Sequence, residues 1–208
     1  MMRLIFTAVL VLLASACTQV QPGRGVIAQP QRDWRAIATA DDRARLRDWR
    51  SAFVDALAAA RRSGHAADIA REGVLMEPDA AVAGAAIPNG MYRCRITKLG
   101  AKSEGLLDYV AYPAFSCRIR QERDLQGFAK LSGSQRQVGL IFPGDGVRQI
   151  FLGTLVLGDE ARAMQYGMDR DRDVAGWMER IGPARWRMLM PRPRFESQMD
   201  VMELIPER

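Results

Sequence analysis

Histidine is all but missing from this chain; the single copy is His65. A site that needs several imidazoles is therefore excluded. His65 follows Gly64 at the end of the longest helical stretch, where an imidazole more often serves a helix C-terminus than a substrate. Motifs that carry chemistry are lacking too. The sequence contains no Cys-x-x-Cys to depress a thiol pKa, no Gly-x-Ser-x-Gly elbow, and no Walker or dinucleotide fingerprint. No cofactor is expected. Asp169-Arg170-Asp171-Arg172-Asp173 matches the first three ligand positions of an EF-hand. However, Val174 stands where Gly is required and Arg180 where the bidentate Glu belongs. The interleaved arginines cancel the field that would attract a cation, so the loop reads as solvated and self-paired, with no metal.

Long apolar runs are lacking as well. Residues 4–13 are apolar but fall short of the roughly 20 needed to span a bilayer as a helix. With Met1-Met2-Arg3 before them and Ala14-Ser15-Ala16 after, they have the layout of a secretory signal peptide, 1–16. Leu13-Ala14-Ser15-Ala16-Cys17 resembles the bacterial lipobox, although Ala14 replaces the commoner Leu. Two readings stand for Cys17: diacylation through its sulfur, or an ordinary signal-peptidase cut that leaves a free thiol. Lipidation would provide the two-chain anchoring that one acyl chain cannot. By the same resemblance, Thr18 in place of Asp favours the outer membrane of a Gram-negative cell, facing the periplasm.

Lysine is scarce. Of thirty basic residues only Lys98, Lys102 and Lys130 are lysines, and the formal net charge is +6. An Arg- and Ala-rich, Lys-poor chain fits a GC-rich genome; a functional anionic partner such as lipid headgroups is the other explanation. No groove-reading motif accompanies the charge, and an exported protein rarely meets nucleic acid, so no nucleic-acid partner is expected. Cysteine is limited to Cys17, Cys94 and Cys117. Acylation of the first leaves an even pair in an oxidising compartment.

What the sequence does contain is α+β patterning. Residues 17–31, the acylated Cys and a Gln/Pro/Gly-rich stretch, read as a flexible tether. A single globular domain then covers 32–208, helical over 32–76 and antiparallel β over 90–206. Thr39 is a good N-cap, with Asp41 and Asp42 in the first turn. Leu46, Trp49, Phe53, Val54 and Leu57 recur at helical spacing as one amphipathic stripe, and Gly64 ends the helix. A shorter second helix over 66–75 is also consistent with the pattern.

From Gly90 the period changes to two. Tyr92, Cys94 and Ile96 alternate with Arg93, Arg95 and Thr97, and Phe115, Cys117 and Ile119 alternate with Ser116, Arg118 and Arg120. Further strands are expected over 126–132, 136–142, 147–157, 185–190 and 199–205, with a two-residue type II′ turn at Gly133-Ser134. Residues 173–182 fit a short helix or a strand broken by Gly176, and the regular turn spacing favours strand. Seven or eight such strands imply a meander, either a curved sheet or a lipocalin-like closed barrel with the helix packed on it or plugging one end.

Three sets of residues are candidates for function. Cys94 and Cys117 are expected to form a structural disulfide if their strands pair; two buried thiols are the alternative. Arg93, Arg95, Arg118 and Arg120 would share the opposite face as an anion-binding strip, or else a solvated sheet face. Asp108, Asp145, Asp159, Glu160, Glu179 and Glu196 would permit acid–base chemistry only if folding paired them.

Asp42-Arg43-Ala44-Arg45-Leu46-Arg47-Asp48-Trp49, Tyr92-Arg93-Cys94-Arg95-Ile96-Thr97-Lys98-Leu99-Gly100, Gly133-Ser134-Gln135-Arg136, Glu179-Arg180-Ile181-Gly182 and Met199-Asp200-Val201-Met202-Glu203-Leu204 resemble a domain-of-unknown-function family of exported Gram-negative proteins. That resemblance covers the chain from about Trp34 onward and implies no assigned activity and no catalytic residues. The expected function is a lipid-anchored envelope module that binds an apolar or anionic small ligand at the barrel mouth. An envelope scaffold that binds another protein is the alternative, and a carboxylate hydrolase comes third.

Overall fold

A computed structural model describes residues 32–207. The signal peptide, Cys17 and the tether lie outside the described residues.

Thr39 caps helix α2 (Ala40–Arg47), its hydroxyl accepting from the Asp42 N–H at 3.2 Å. A four-residue helix α1 (Trp34–Ile37), capped by Asp33, precedes it. The expected long helix is divided at Asp48, whose φ of −90° and ψ of 13° separate α2 from α3 (Trp49–Ala60). Gly64, at φ +96°, ends this part of the chain in the left-handed region that disfavours a Cβ. Helix α4 (Ala66–Glu72) and a 3-10 turn (Gly73–Met76) follow. Val54 does not join the apolar stripe: it is 41% exposed, whereas Phe53, Ala56, Leu57 and Ala60 are buried. At 100° per residue it lies one step beyond the covered arc.

Nine strands follow: β1 (Gly90–Ala101), β2 (Tyr109–Ala111), β3 (Phe115–Glu122), β4 (Leu125–Lys130), β5 (Gln135–Pro143), β6 (Arg148–Leu157), β7 (Asp173–Gly182), β8 (Arg185–Pro191) and β9 (Ser197–Pro206). Each pairs antiparallel with its neighbour, and β9 returns to pair along β1. Eight strands therefore close a barrel. The short strand β2 adds a ninth on the Thr97 to Leu99 part of β1, while residues 90–94 of β1 pair with β3.

Residues 173–182 form a strand that runs unbroken through Gly176, which faces Phe151 across the β6–β7 ladder. The β4–β5 connection spans four residues, 131–134, rather than the two expected. Its ends are drawn off the ladder, because the Leu131 N–H bonds the Ser116 carbonyl and Ser134 accepts from Gly158.

One face of the alternation fills the barrel. Phe128 and Phe151 meet edge-to-face at 5.5 Å, and Tyr92 meets Trp186 at 6.3 Å. Gly139 and Gly153, opposite one another in β5 and β6, let the two backbones approach, and Gly153 also makes room for the Phe151 ring, which a Cβ there would meet at 2.6 Å. Cys94 and Cys117 join as a disulfide inside the barrel, with Cα atoms 6.0 Å apart. They sit diagonally rather than opposite, since Cys94 faces Phe115 and Cys117 faces Tyr92.

The helices lie outside the barrel instead of plugging it. Phe53, Ala56 and Leu57 cover Leu99, Leu189, Met199 and Val201. Trp34 and Leu46 cover Phe142, Ile150 and Leu152. Strands beneath the helices are thus apolar on both faces. Each large side chain buried in this way contributes roughly 1.5–3 kcal/mol.

Candidate functional site

The inward face of β1 continues Tyr92, Cys94 and Ile96 by one more period to Lys98. That residue opens the barrel end where β1, β4, β6 and β8 finish. Lys130 closes β4 at the same end, and Gln135 and Gln137 begin β5 there. A cleft of about 310 Å³ opens between them, lined by Ile96, Tyr112, Phe115, Lys130, Ser134 and Gln137 among others. Below it a pocket of about 20 Å³, the space of a single water, lies among Lys98, Gln137, Asp173 and Asp200.

The two lysines of the mouth differ in their partners. Lys98 Nζ donates to Asp200 Oδ2 at 3.0 Å and lies 3.2 Å from Glu196 Oε2. Burial works to lower its pKa, but Asp200 and then Glu196 outweigh it and hold the ammonium above the ordinary lysine value. Lys130 donates to the Gln135 carbonyl at 2.8 Å and lies 4.3 Å over the Phe115 ring, with no ion pair among the described residues. Burial, and then repulsion from Lys98, push its pKa down. The third lysine, Lys102, donates to the Pro193 carbonyl at the same barrel end.

Among the described residues that line the smaller pocket, Gln137 Oε1, Asp173 Oδ2 and Arg45 Nε are buried without a hydrogen bond. Asp173 Oδ1 accepts from the Gly167 N–H at 2.8 Å. Burial pushes the Asp173 carboxyl up to about 6; the Gly167 bond opposes this and Asp42 adds to it. Beside it, Arg45 donates to Asp42 and, at 3.2 Å, to the Asp173 carbonyl, while Tyr166 donates to Asp42. This cluster ties α2 to β7. A second cleft of about 280 Å³ lies at the opposite barrel end between residues 82–86 and Trp186.

The four arginines lie on the outer face of β1 and β3, but they differ in their partners. Arg93, Arg118 and Arg120 are exposed on the outer face of β1 and β3. Arg95 faces Glu203 on β9, donates to Glu72 through Nη1 and Nη2, and reaches Glu203 at 3.2 Å. Arg120 pairs with Glu122. Of these four, Arg93 and Arg118 have no ion pair among the described residues.

The six carboxylates are held by separate local partners or left at the surface. Glu179 pairs with Arg187 and Arg148. Glu160 accepts from the Leu157 N–H and binds Arg172. Asp145 caps its own turn at Val147 and Arg148. Asp108 accepts from the Ala101 N–H, Glu196 meets Lys98, and Asp159 is exposed. Asp169 and Arg172 pair within the charged loop at 3.3 Å. Among the described residues no group of three His, Cys, Asp or Glu is placed to hold a metal ion.

His65 does not serve the end of α3. Its Nδ1 meets Asp68 in the first turn of α4 at 2.7 Å, and its ring stacks on Tyr109 at 5.1 Å. Sequence reasoning missed the lysine mouth altogether. Extending the β1 alternation by one residue was the signal that could have found Lys98; nothing local marks Gln137 or Lys130.

No curated protein and no solved structure matches the chain. The model of a family described as a domain of unknown function, DUF4893, matches residues 34–204, from the first helix into the last strand, and the chain belongs to that family.

Proposed function

We propose that this protein is a non-enzymatic ligand-binding module of the cell envelope, held at the outer membrane by acylated Cys17 and presenting its barrel mouth to a small molecule in the periplasm. The observation that carries this reading is the contrast along the barrel axis. The middle is packed by Phe128, Phe151 and Met188, all buried, so a deep lipocalin-like cavity has no room there. The mouth keeps a cleft of about 310 Å³, the lower end of the usual ligand-pocket range, with a few polar groups converging on apolar walls.

A binder is favoured over a hydrolase because the six carboxylates are spread apart, and Glu196, the one that lines the cleft, is paired with Lys98. A protein-binding scaffold that uses the arginine face is the weaker alternative, since Arg95 and Arg120 already have carboxylate partners.

Fractionation of the native host followed by native mass spectrometry tests the reading. Wild-type protein should be found in the outer membrane and carry a small molecule. Cys17→Ser should move to the soluble periplasm, and Ser134→Trp, which fills the cleft, should lose the bound mass. An identical bound mass in Ser134→Trp, or none in the wild type, would overturn the ligand assignment. A soluble wild type would overturn the anchor.

A further inference from the structure

We infer that the mouth takes a small anion with a flat apolar body, such as an aromatic carboxylate, its charge set against Lys130. This deepens the ligand-binding reading and rests on it.

The charge requirement comes from Lys130. An ammonium has three N–H donors. Here only the Gln135 carbonyl and the Phe115 ring face receive that group; no carboxylate is in ion-pair contact with it among the described residues, and the attraction of Asp200, already paired with Lys98, is weaker than the repulsion from Lys98. Lys98 is different: Asp200 and Glu196 already neutralise it. Among the described residues Glu196 is the one carboxylate that lines the cleft, and its engagement by Lys98 leaves little negative field to repel an anion. Burial and the neighbouring Lys98 disfavour a bare ammonium at Lys130, so an incoming carboxylate relieves an existing cost while making a charge-assisted hydrogen bond.

The flat body follows from the walls. Tyr112 is 42% exposed at the cleft, and Phe115 and Ile96 face the same space. Aromatic walls favour offset or edge contacts with another ring. Gln137 supplies a further polar contact. It stands next to Lys130 in the β4–β5 ladder, where Ala129 faces Val138, and its buried Oε1 accepts no hydrogen bond. Either end of such an amide can meet a ligand substituent.

The three lysines permit a local readout. Reductive methylation of the full chain, mapped by peptide mass spectrometry, reports Lys98, Lys102 and Lys130 separately. Benzoate should protect Lys130 and leave Lys102 unchanged. It should act at about one-tenth the concentration that its neutral isostere benzamide requires, the ratio expected from one charge-assisted hydrogen bond. Inorganic phosphate should protect less well than benzoate. In calorimetry Lys130→Arg should keep benzoate binding, whereas Lys130→Met should lose about tenfold, with unchanged melting temperatures showing that both fold.

Equal protection by benzamide would overturn the anion assignment while leaving the cleft a ligand site. Phosphate matching benzoate would overturn the flat body. No protection by any of the three would overturn the inference as a whole, and the native mass spectrum of host-purified protein would still judge the broader reading on its own.

Discussion

Asp173 begins β7 with one carboxylate oxygen bonded to Gly167 and the other buried without a partner. Its folded-state pKa is raised from 3.8 to about 6, chiefly by burial. The folded protein therefore holds this proton more tightly than the unfolded chain does. Stability from this group is lost as pH rises from about 4 to about 6, and stays lost above that. Asp173→Asn keeps an oxygen for Gly167 and removes the charge. It should stabilise the protein by about 1–2 kcal/mol at pH 7.5, less than the full linkage value because the amide adds its own N–H donors. Urea unfolding at pH 4.5, 6 and 7.5 checks this; a gain that is the same at all three values would refute it. In the sequence Asp173 looks like the last member of an exposed charge run. Its burial follows from where β7 starts relative to the barrel end, which no local pattern records.

At the scale of elements, β1 is the strand on which closure depends. It pairs with β9 along one edge and with β3 and β2 in succession along the other. Its handover from β3 to β2 opens the mouth beside Ile96 and Lys98. The Cys94–Cys117 disulfide braces β1 against β3 just before that handover, across a sequence separation of 23. By loop-closure entropy a bridge of this span is worth about 3 kcal/mol. Replacing both cysteines by Ala should therefore lower unfolding stability by about 2–4 kcal/mol, and the oxidised wild type should show no alkylatable thiol at either position. Denaturant titration and intact mass after alkylation provide the two checks. The alternation around both cysteines was readable because a period of two is local. Strand β2 was not, since three residues carry too little pattern to separate a strand from a loop.

At the scale of the whole molecule, the helices and the barrel are joined through Arg187. It lies on the outward face of β8, where alternation predicts a solvated side chain, yet it is fully buried. Its guanidinium pairs with Glu179 at 2.7 Å and donates to the carbonyls of Leu75, Glu77 and Pro78 at 2.7–3.0 Å, which terminates the helical segment against the sheet. Arg148 takes the other oxygen of Glu179 and lies 4.8 Å from the Trp49 ring. Arg187→Met should cost about 3–5 kcal/mol, because it strips Glu179 of one cation and leaves buried carbonyls without donors. Hydrogen exchange should also speed up at residues 73–78 before it does in the barrel strands. Uniform acceleration across both would show that Arg187 is not the joint.

The sequence by itself determined whatever depends on near neighbours: the N-cap at Thr39, the helix end at Gly64, the strand alternation and the inward cysteines. It also carried the family resemblance. Tertiary structure alone decided that the meander closes, that the helices cover its outer face, that Lys98 and Lys130 meet at one mouth, and that Arg95 is drawn to Glu72 and Glu203 while Arg93 is left exposed. The physical reason is range. Which way a side chain points follows from the period of its own strand, but what it then meets depends on pairings between residues a hundred or more positions apart, such as Lys98 with Asp200.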